Sequence, residues 1–558
     1  MKKLIILTIL ITILGSACKK SILQQINPNQ PNLSSLTTEE GITSFALGIF
    51  EKWLAPVPNE GNVNIMVVAW ARQSILGDET FCPYGNYGFR WTDQVYSVTL
   101  PNGTVIINPN GKDQKTQLQG FNSRQAGENN AFVYEWEVNS FLIAQSNLLR
   151  QSLDNTSLAF SGDANSKRNT LKAWAYWWRG FAYSRIGSAY IAGVINNAPA
   201  DGTTSDHFVD HAAIIAEANK NFDSCASILA ALPNNVDYNE MMQSIVPSIF
   251  YNALPVLDLK NGIVSSDMWL RQVYTYQARN LLVNKKVKDM TAADWTQLQN
   301  LTSRGIRKDD NVFVYALDPN LINDLNGQFA GQGSPYAMFG TGSQYLFTSE
   351  RLVQDFKPGD QRFSRGFAPL PPSDWNVNIR GRGLQFGNRY DPVSIEDGGL
   401  YASNDNSGII NIAGTWDENA LMTAEAKIRS GSDIEGGLQL IDAVRSAQNA
   451  TLDAVAGKGL TQTQAIEELR RERRIGLLLR GLAFYDARRW GITDPVSSGG
   501  GRANAIVLIP PDVLGLPGTS PPQPLPCIID YRYMDYWDVP QNELDFNAPG
   551  AGSVPVKK

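Results

Sequence analysis

Residues 465–491 read Ala-Ile-Glu-Glu-Leu-Arg-Arg-Glu-Arg-Arg-Ile-Gly-Leu-Leu-Leu-Arg-Gly-Leu-Ala-Phe-Tyr-Asp-Ala-Arg-Arg-Trp-Gly. Ile475, Leu478, Leu479, Leu482 and Tyr485 recur at i, i+3, i+4, i+7 and i+10, the spacing of one apolar helix face. The pattern predicts a single long helix over 463–489 with that face on a core. Glu467 stands four residues before Arg471, so the two meet on the helix surface. Arg488 and Arg489 suit the negative end of the helix dipole, and Gly491 is placed to end the helix. Glu472 and Asp486 are the carboxylates a catalytic reading would recruit. Fourteen residues of continuous helix would hold them roughly 21 Å apart, too far for one site. These charges are therefore expected to be structural, and no catalytic residue is assigned.

Outward from this stretch, helical periodicity recurs at 131–151, 167–191, 207–231, 268–287, 416–430 and 434–447. Strand-like alternation is scarce and short. Around 173–190, 211–232 and 421–444, Ala and Gly at close-approach positions alternate with Tyr, Trp and Phe, a texture of tetratricopeptide-like helix pairs that bury a shared core. Between the helices lie two long irregular stretches, 56–130 and 331–411, rich in Gly, Asn, Pro and aromatics. Loops of this length are functional or disordered, and the aromatic content argues for order. The fold class expected is mainly α: helix pairs packed against an irregular, loop-rich half that binds ligand. Trp70, Asp78, Tyr84, Tyr87 and Trp91 from the first stretch, with Tyr336, Trp375 and Tyr390 from the second, are the expected ligand contacts. Aromatic faces would supply contact area and polar groups orientation.

The N-terminal residues add a location. Lys2 and Lys3 precede the apolar run Leu4–Leu14, then Gly15, Ser16 and Ala17 stand before Cys18. This is a secretory signal, with a run too short to span a membrane. Small residues directly before a cysteine resemble the lipobox of bacterial lipoproteins, in which Cys18 becomes the acylated first residue. Residues 1–17 are then the signal, 18–36 a polar tether, 37–330 an N-terminal region with helix pairs, and 331–558 a C-terminal region packed with it as one architecture. Losing Lys2 and Lys3 moves the net charge from −6 to −8. An acidic chain without basic runs excludes nucleic acid as the partner. Cys82, Cys225 and Cys527, an odd and scattered set, imply no disulfide framework.

Several motifs point to one family. Glu472-Arg473, Gly481 with Asp486, and Arg489-Trp490-Gly491 resemble the signature of the SusD/RagB family of outer-membrane nutrient-binding lipoproteins. Tyr176–Tyr190 looks like that family's aromatic helix, although the usual Tyr-Gly-Asp-Val-Pro is here Tyr190-Ile-Ala-Gly-Val. The segment 348–362 ends in Gly359-Asp360-Gln361-Arg362, like the family's Gly-Asp-x-Arg. Residues 421–429 resemble its Arg-x-Ala-Glu-Ala helix, and Val539–Glu543 with Asn547 its closing Ile-Pro-x-x-Glu-x-x-x-Asn. The resemblance covers essentially the whole mature chain. It implies a SusD-like α/α superhelix of helix pairs and a cell-surface place on the outer membrane, although Lys19 and Lys20 replace the acidic residues that often follow the anchor in exported members. It also implies a partner, a TonB-dependent transporter barrel of the SusC type, and capture of a glycan. The alternatives are a RagB-type peptide binder and a secreted helical glycosidase.

Other chemistry finds little support. His207 and His211 lie at i, i+4 and would share a helix face, but no His-Glu-x-x-His pattern accompanies them, and a solvated helix start is the expected reading. No metal or cofactor site is assigned: no Gly-x-Ser-x-Gly elbow, P-loop or dinucleotide fingerprint is present. Asp78-Glu79 is the pair a glycosidase would use.

Overall fold

The computed structural model describes residues 35–53, 65–108, 113–155, 157–198, 204–246, 263–317, 346–375, 384, 387–393, 398–400 and 408–558. Cys18, the signal, all but the last two residues of the expected tether, the 330/331 boundary and Tyr336 lie outside them. The longer helices are α1 (Glu39–Trp53), α2 (Ile65–Leu76), α3 (Gln114–Phe121), α4 (Val133–Leu153), α5 (Ala164–Ala189), α6 (His211–Ala231), α7 (Val236–Ile245), α8 (Ser266–Val283), α9 (Ala292–Thr302), α10 (Trp416–Ser430), α11 (Ile434–Ala447), α12 (Gln462–Gly476) and α13 (Ala483–Arg489). The path α4–α5–α6–α8–α9–α10–α11–α12 packs each helix on the next. The architecture is mainly α, as the periodicity predicts.

Local chemistry sets the helix ends. Asp163, Asp210, Ser265 and Thr415 accept hydrogen bonds from the first-turn N–H groups of α5, α6, α8 and α10, satisfying donors the helices cannot. His207 consequently precedes the helix, and only His211 lies within it. The shared helix face expected for the two histidines does not form. Instead the ring of His211 stacks on Tyr536 at 4.1 Å.

The core is aromatic. Trp174, Trp177 and Trp178 of α5 are fully buried. Trp174 meets Trp269 of α8 edge-on at 5.8 Å, while Trp177 lies 5.5 Å from Phe222 of α6 and 5.7 Å from Tyr276 of α8. Such pairs contribute about 1 kcal/mol each beyond the area they bury. A Cβ on Gly180 would sit 2.8 Å from the Phe222 ring, so α5 and α6 approach through a position only glycine fits.

The long helix expected over 463–489 is broken. It ends at Gly476, and α13 starts at Ala483, with Leu479 at φ 57° and Gly481 at φ 69° between them. A Cβ at Gly481 would meet Nε1 of Trp70 at 2.4 Å, so the chain turns against the indole. The five stripe residues are buried as predicted. The break overturns the predicted axial separation of Glu472 and Asp486: Arg473, next to Glu472, donates to Asp486 from Nε at 2.8 Å and Nη2 at 3.0 Å.

The stretch 56–130 is less irregular than its composition suggests. Helix α2, Ile-Met-Val-Val-Ala-Trp-Ala-Arg-Gln-Ser-Ile-Leu, is apolar almost all round, so it has no stripe to read, and from Val68 onward it is buried. Strands β1 (Ser97–Thr99) and β2 (Val105–Ile107) pair antiparallel. With β3 (Arg502–Ile509) and β4 (Gln523–Asp530) they form a four-stranded sheet of order β3-β4-β1-β2. Val98 faces Ile529 across the β4–β1 ladder.

Candidate ligand-binding site

The motif residues come first, because they define what the site rests on. Glu425 of α10, fully buried, accepts from Arg489 of α13 at 2.7 and 2.5 Å and from Arg429 at 2.7 Å. Burial alone would raise its carboxyl, but Arg489, Arg429 and Arg473 hold it well below the usual carboxylate range. Glu472 accepts from Arg362 at 2.5 Å and from Arg445 at 2.8 Å, and Arg362 also grips Asp360. At the C-terminal end Glu543 accepts from Trp136 Nε1 at 3.1 Å and from Asn547 at 2.9 Å. Glu425, Glu472, Arg473, Asp486 and Arg489 thus tie α10–α13 together through buried, charge-compensated bonds. Their role is to hold the fold.

The expected ligand contacts separate into two groups. Trp70, Tyr87 and Asp78 are buried. Trp70 lies beneath Arg185, whose guanidinium carbon is 4.8 Å from the ring centre, and Tyr87 packs edge-on to Phe89 and Tyr134. Asp78 accepts from Arg351 at 3.0 and 2.8 Å, from Ser349 at 2.8 Å and from Tyr531 at 2.6 Å. Burial opposes its charge, yet Arg351, with Arg502 and Arg474 nearby, holds it well below the usual range. Its neighbour Glu79 is pushed up to about 7, by burial first. It accepts from the Leu479 N–H at 3.3 Å, inside the helix break. Neither carboxylate is exposed to a substrate, so this pair offers no open acid and base of the kind glycoside cleavage needs.

The other four, Tyr84, Trp91, Trp375 and Tyr390, are half-buried. Tyr84 and Trp91 share one turn, in which Arg90 N donates to the Tyr84 carbonyl at 3.1 Å. Trp91 stacks on Phe121 of α3 at 4.8 Å, with Arg90 3.8 Å from its ring centre. In the short ladder 367–369/390–392 Tyr390 faces Pro369, and just beyond it Trp375 Nε1 donates to the Leu370 carbonyl at 2.8 Å. Phe363 meets Tyr390 edge-on at 5.2 Å. The two groups are linked by the pair Thr80–Phe81/Phe347–Thr348: Phe347 lies 6.2 Å from Tyr84, and Glu350, three residues on, accepts from Arg389 N at 2.8 Å and Nη2 at 2.8 Å. Each of these aromatic residues is held by its own neighbours, and the Glu350–Arg389 ion pair fixes the strand that carries Tyr390.

Sequence reading missed Arg90 and Phe121, which set the orientation of Trp91. A Phe at the end of a short helix capped by Asp113 was the available signal. Among the described residues no three His, Cys, Asp or Glu side chains gather as metal ligands, and no helix is long and apolar enough to cross a membrane.

Comparison with known proteins agrees with this architecture. Residues 418–546 match the model of the SusD family. A SusD-like carbohydrate binding protein from Bacteroides fragilis, 15% identical, superposes over 92% of this chain and 99% of its own with a TM-score of 0.57. A SusD superfamily protein from Parabacteroides distasonis, 13% identical, does so over 93% and 98% with a TM-score of 0.51. None of the curated proteins matches. The matched segment spans α10–α13 and their ion pairs, and together with the shared fold it supports membership of the SusD/RagB family.

Proposed function

We propose that this chain is a cell-surface lipoprotein, anchored in the outer membrane through acylated Cys18, that captures a glycan and hands it to a TonB-dependent transporter of the SusC type. The observation that carries the reading is that Tyr84, Trp91, Trp375 and Tyr390 stay half-buried in the loop-rich stretches of a SusD-type fold. The carbohydrate binding named for the Bacteroides fragilis neighbour supports a sugar ligand. Tyr336, from the same second stretch, belongs to the proposed contact set. Trp70, Tyr87 and Asp78 are buried and are left out of this contact set.

Binding without turnover is the expected behaviour. The protein from Cys18 onward, titrated calorimetrically with a panel of oligosaccharides, binds at least one of them and releases no new reducing ends. Release of reducing ends would favour the glycosidase reading. Binding of peptides and of no glycan would favour a RagB-type role.

A further inference from the structure

The hairpin that joins β1 to β2 runs Leu100-Pro101-Asn102-Gly103-Thr104. Gly103 N donates to the Leu100 carbonyl at 2.9 Å, which puts Pro101 and Asn102 at the centre of a tight turn, and Leu100 N donates to the Thr104 carbonyl at 2.8 Å. Gly103 holds φ 87°, the left-handed conformation that returns the chain into β2. Pro101, Asn102, Gly103 and Thr104 are all exposed, and theirs is the one Asn-Gly pair among the described residues.

The carboxamide carbon of an asparagine is one ring closure away from the main-chain nitrogen of the next residue. A side chain on that residue obstructs the approach, and glycine has none. Apart from its chain neighbours, nothing stands within 4 Å of where a Cβ on Gly103 would be. The carboxamide is also held: Thr104 N donates to Oδ1 of Asn102 at 3.0 Å. That bond turns the side chain back over the Gly103 peptide, and it sets a donor on the oxygen that gains negative charge when the carbonyl is attacked. Asn155 gives the contrast. It is exposed too, and its Oδ1 accepts from Ser157 N at 3.0 Å in the same way, but the residue that follows it is the β-branched Thr156.

We infer that Asn102 is a modification site at which the folded chain converts its own asparagine to aspartate and isoaspartate. The Gly103 nitrogen gives up its proton to water or hydroxide and bonds to Cγ of Asn102. The Cγ–Nδ2 bond breaks, and Nδ2 takes up a proton from water and leaves as ammonia. Water then adds to one carbonyl or the other of the cyclic imide, which opens to aspartate or to isoaspartate. Water is the co-reactant throughout. Either product adds a carboxylate to an already acidic chain. Isoaspartate also routes the main chain through the side-chain methylene, so it lengthens the turn that Leu100 and Thr104 close and loosens β2, the last strand of the sheet.

The test holds the full mature chain at mildly alkaline pH for weeks, beside a capped peptide of residues 97–107. Fragmentation of tryptic peptides in a mass spectrometer locates the amide-to-acid mass change, and a protease that cuts at aspartate but not at isoaspartate separates the products. The expected result is conversion of Asn102 in the folded chain within tenfold of the peptide rate and at least tenfold faster than Asn155, with isoaspartate among the products. Asn102→Gln, which must close a larger ring, should react at least tenfold more slowly. A folded chain more than tenfold slower than the peptide would mean that the bond from Gly103 to Leu100 shields the nitrogen. A rate no greater than that of Asn155, aspartate as the sole product, or an unchanged rate in Asn102→Gln would rule out ring closure by Gly103. Each of these results overturns the inference.

Discussion

Gly481→Ala tests the break between α12 and α13. Gly481 holds φ 69°, a conformation that costs an L-residue about 1–2 kcal/mol. The new methyl would also stand 2.4 Å from Nε1 and 2.6 Å from Cδ1 of Trp70, ring atoms that have no flexible end to give way. Trp70 is 2% exposed and pinned under Arg185, so relief requires moving α2 or the turn, an overpacking cost of about 1–3 kcal/mol. The sum is about 2–5 kcal/mol. Urea unfolding followed by tryptophan fluorescence reads it as a lower midpoint at unchanged slope. A second variant, Gly481→Ala with Trp70→Leu, removes the obstructing ring. It should recover the overpacking part relative to Trp70→Leu alone, leaving only the backbone cost. If Gly481→Ala shifts stability by less than about 0.5 kcal/mol, or if the two substitutions add without coupling, the argument that the break rests on the absence of a side chain here is wrong.

Glu79 titrates from about 7 in the folded chain against an ordinary value of 4.5, so folding favours its protonated form. Its effect on stability is therefore absent below pH 4.5, and a penalty builds as pH rises from 4.5 to 7 and levels off above it. Glu79→Gln should match wild type near pH 4.5 and exceed it by about 3 kcal/mol at pH 8.5 in urea titrations, and a pH-independent difference would contradict this. Arg489→Met leaves Glu425 and Asp486 short of their shared partner. It is expected to cost about 3–5 kcal/mol, far more than the loss of an exposed ion pair such as Arg150–Asp154, and equal effects of the two would sink the structural reading of the motif. Trp375→Ala and Tyr390→Ala should each weaken oligosaccharide binding at least tenfold in calorimetry while the urea midpoint stays within error of wild type. Undiminished affinity in both would remove the second stretch from the site.

Much of the helical half is legible in the sequence because its helices are amphipathic. The ends of α10 and α11 fall where the apolar period places them, and Thr415 and Asp433 cap their first turns. The break at 477–482 is invisible to periodicity, since Leu478, Leu479 and Leu482 keep helical spacing while the backbone does not. Helix α2 escaped for the opposite reason: buried from Val68 to its end, it carries no period. In the site, residue type was readable and depth was not. Trp70 and Tyr84 look alike in a Gly- and Asn-rich stretch, and only the structure shows that the first is buried under Arg185 and the second half-buried. The family resemblance rests on residues of the first kind, which explains why it speaks to architecture more firmly than to ligand.

The four-stranded sheet has a consequence for how the chain is made. Strands β1 and β2 come from residues 97–107, while their neighbour β4 ends at Asp530, so the first strands to be synthesised wait for more than four hundred residues before the ladder beside them can close. Pairings this distant in sequence form late and slowly. Until then Val98 and Leu100, buried in the finished protein, stand uncovered. A chain truncated before β4 would keep most of its helices and yet present an unfinished strand edge, the form in which aggregation or proteolysis would find it.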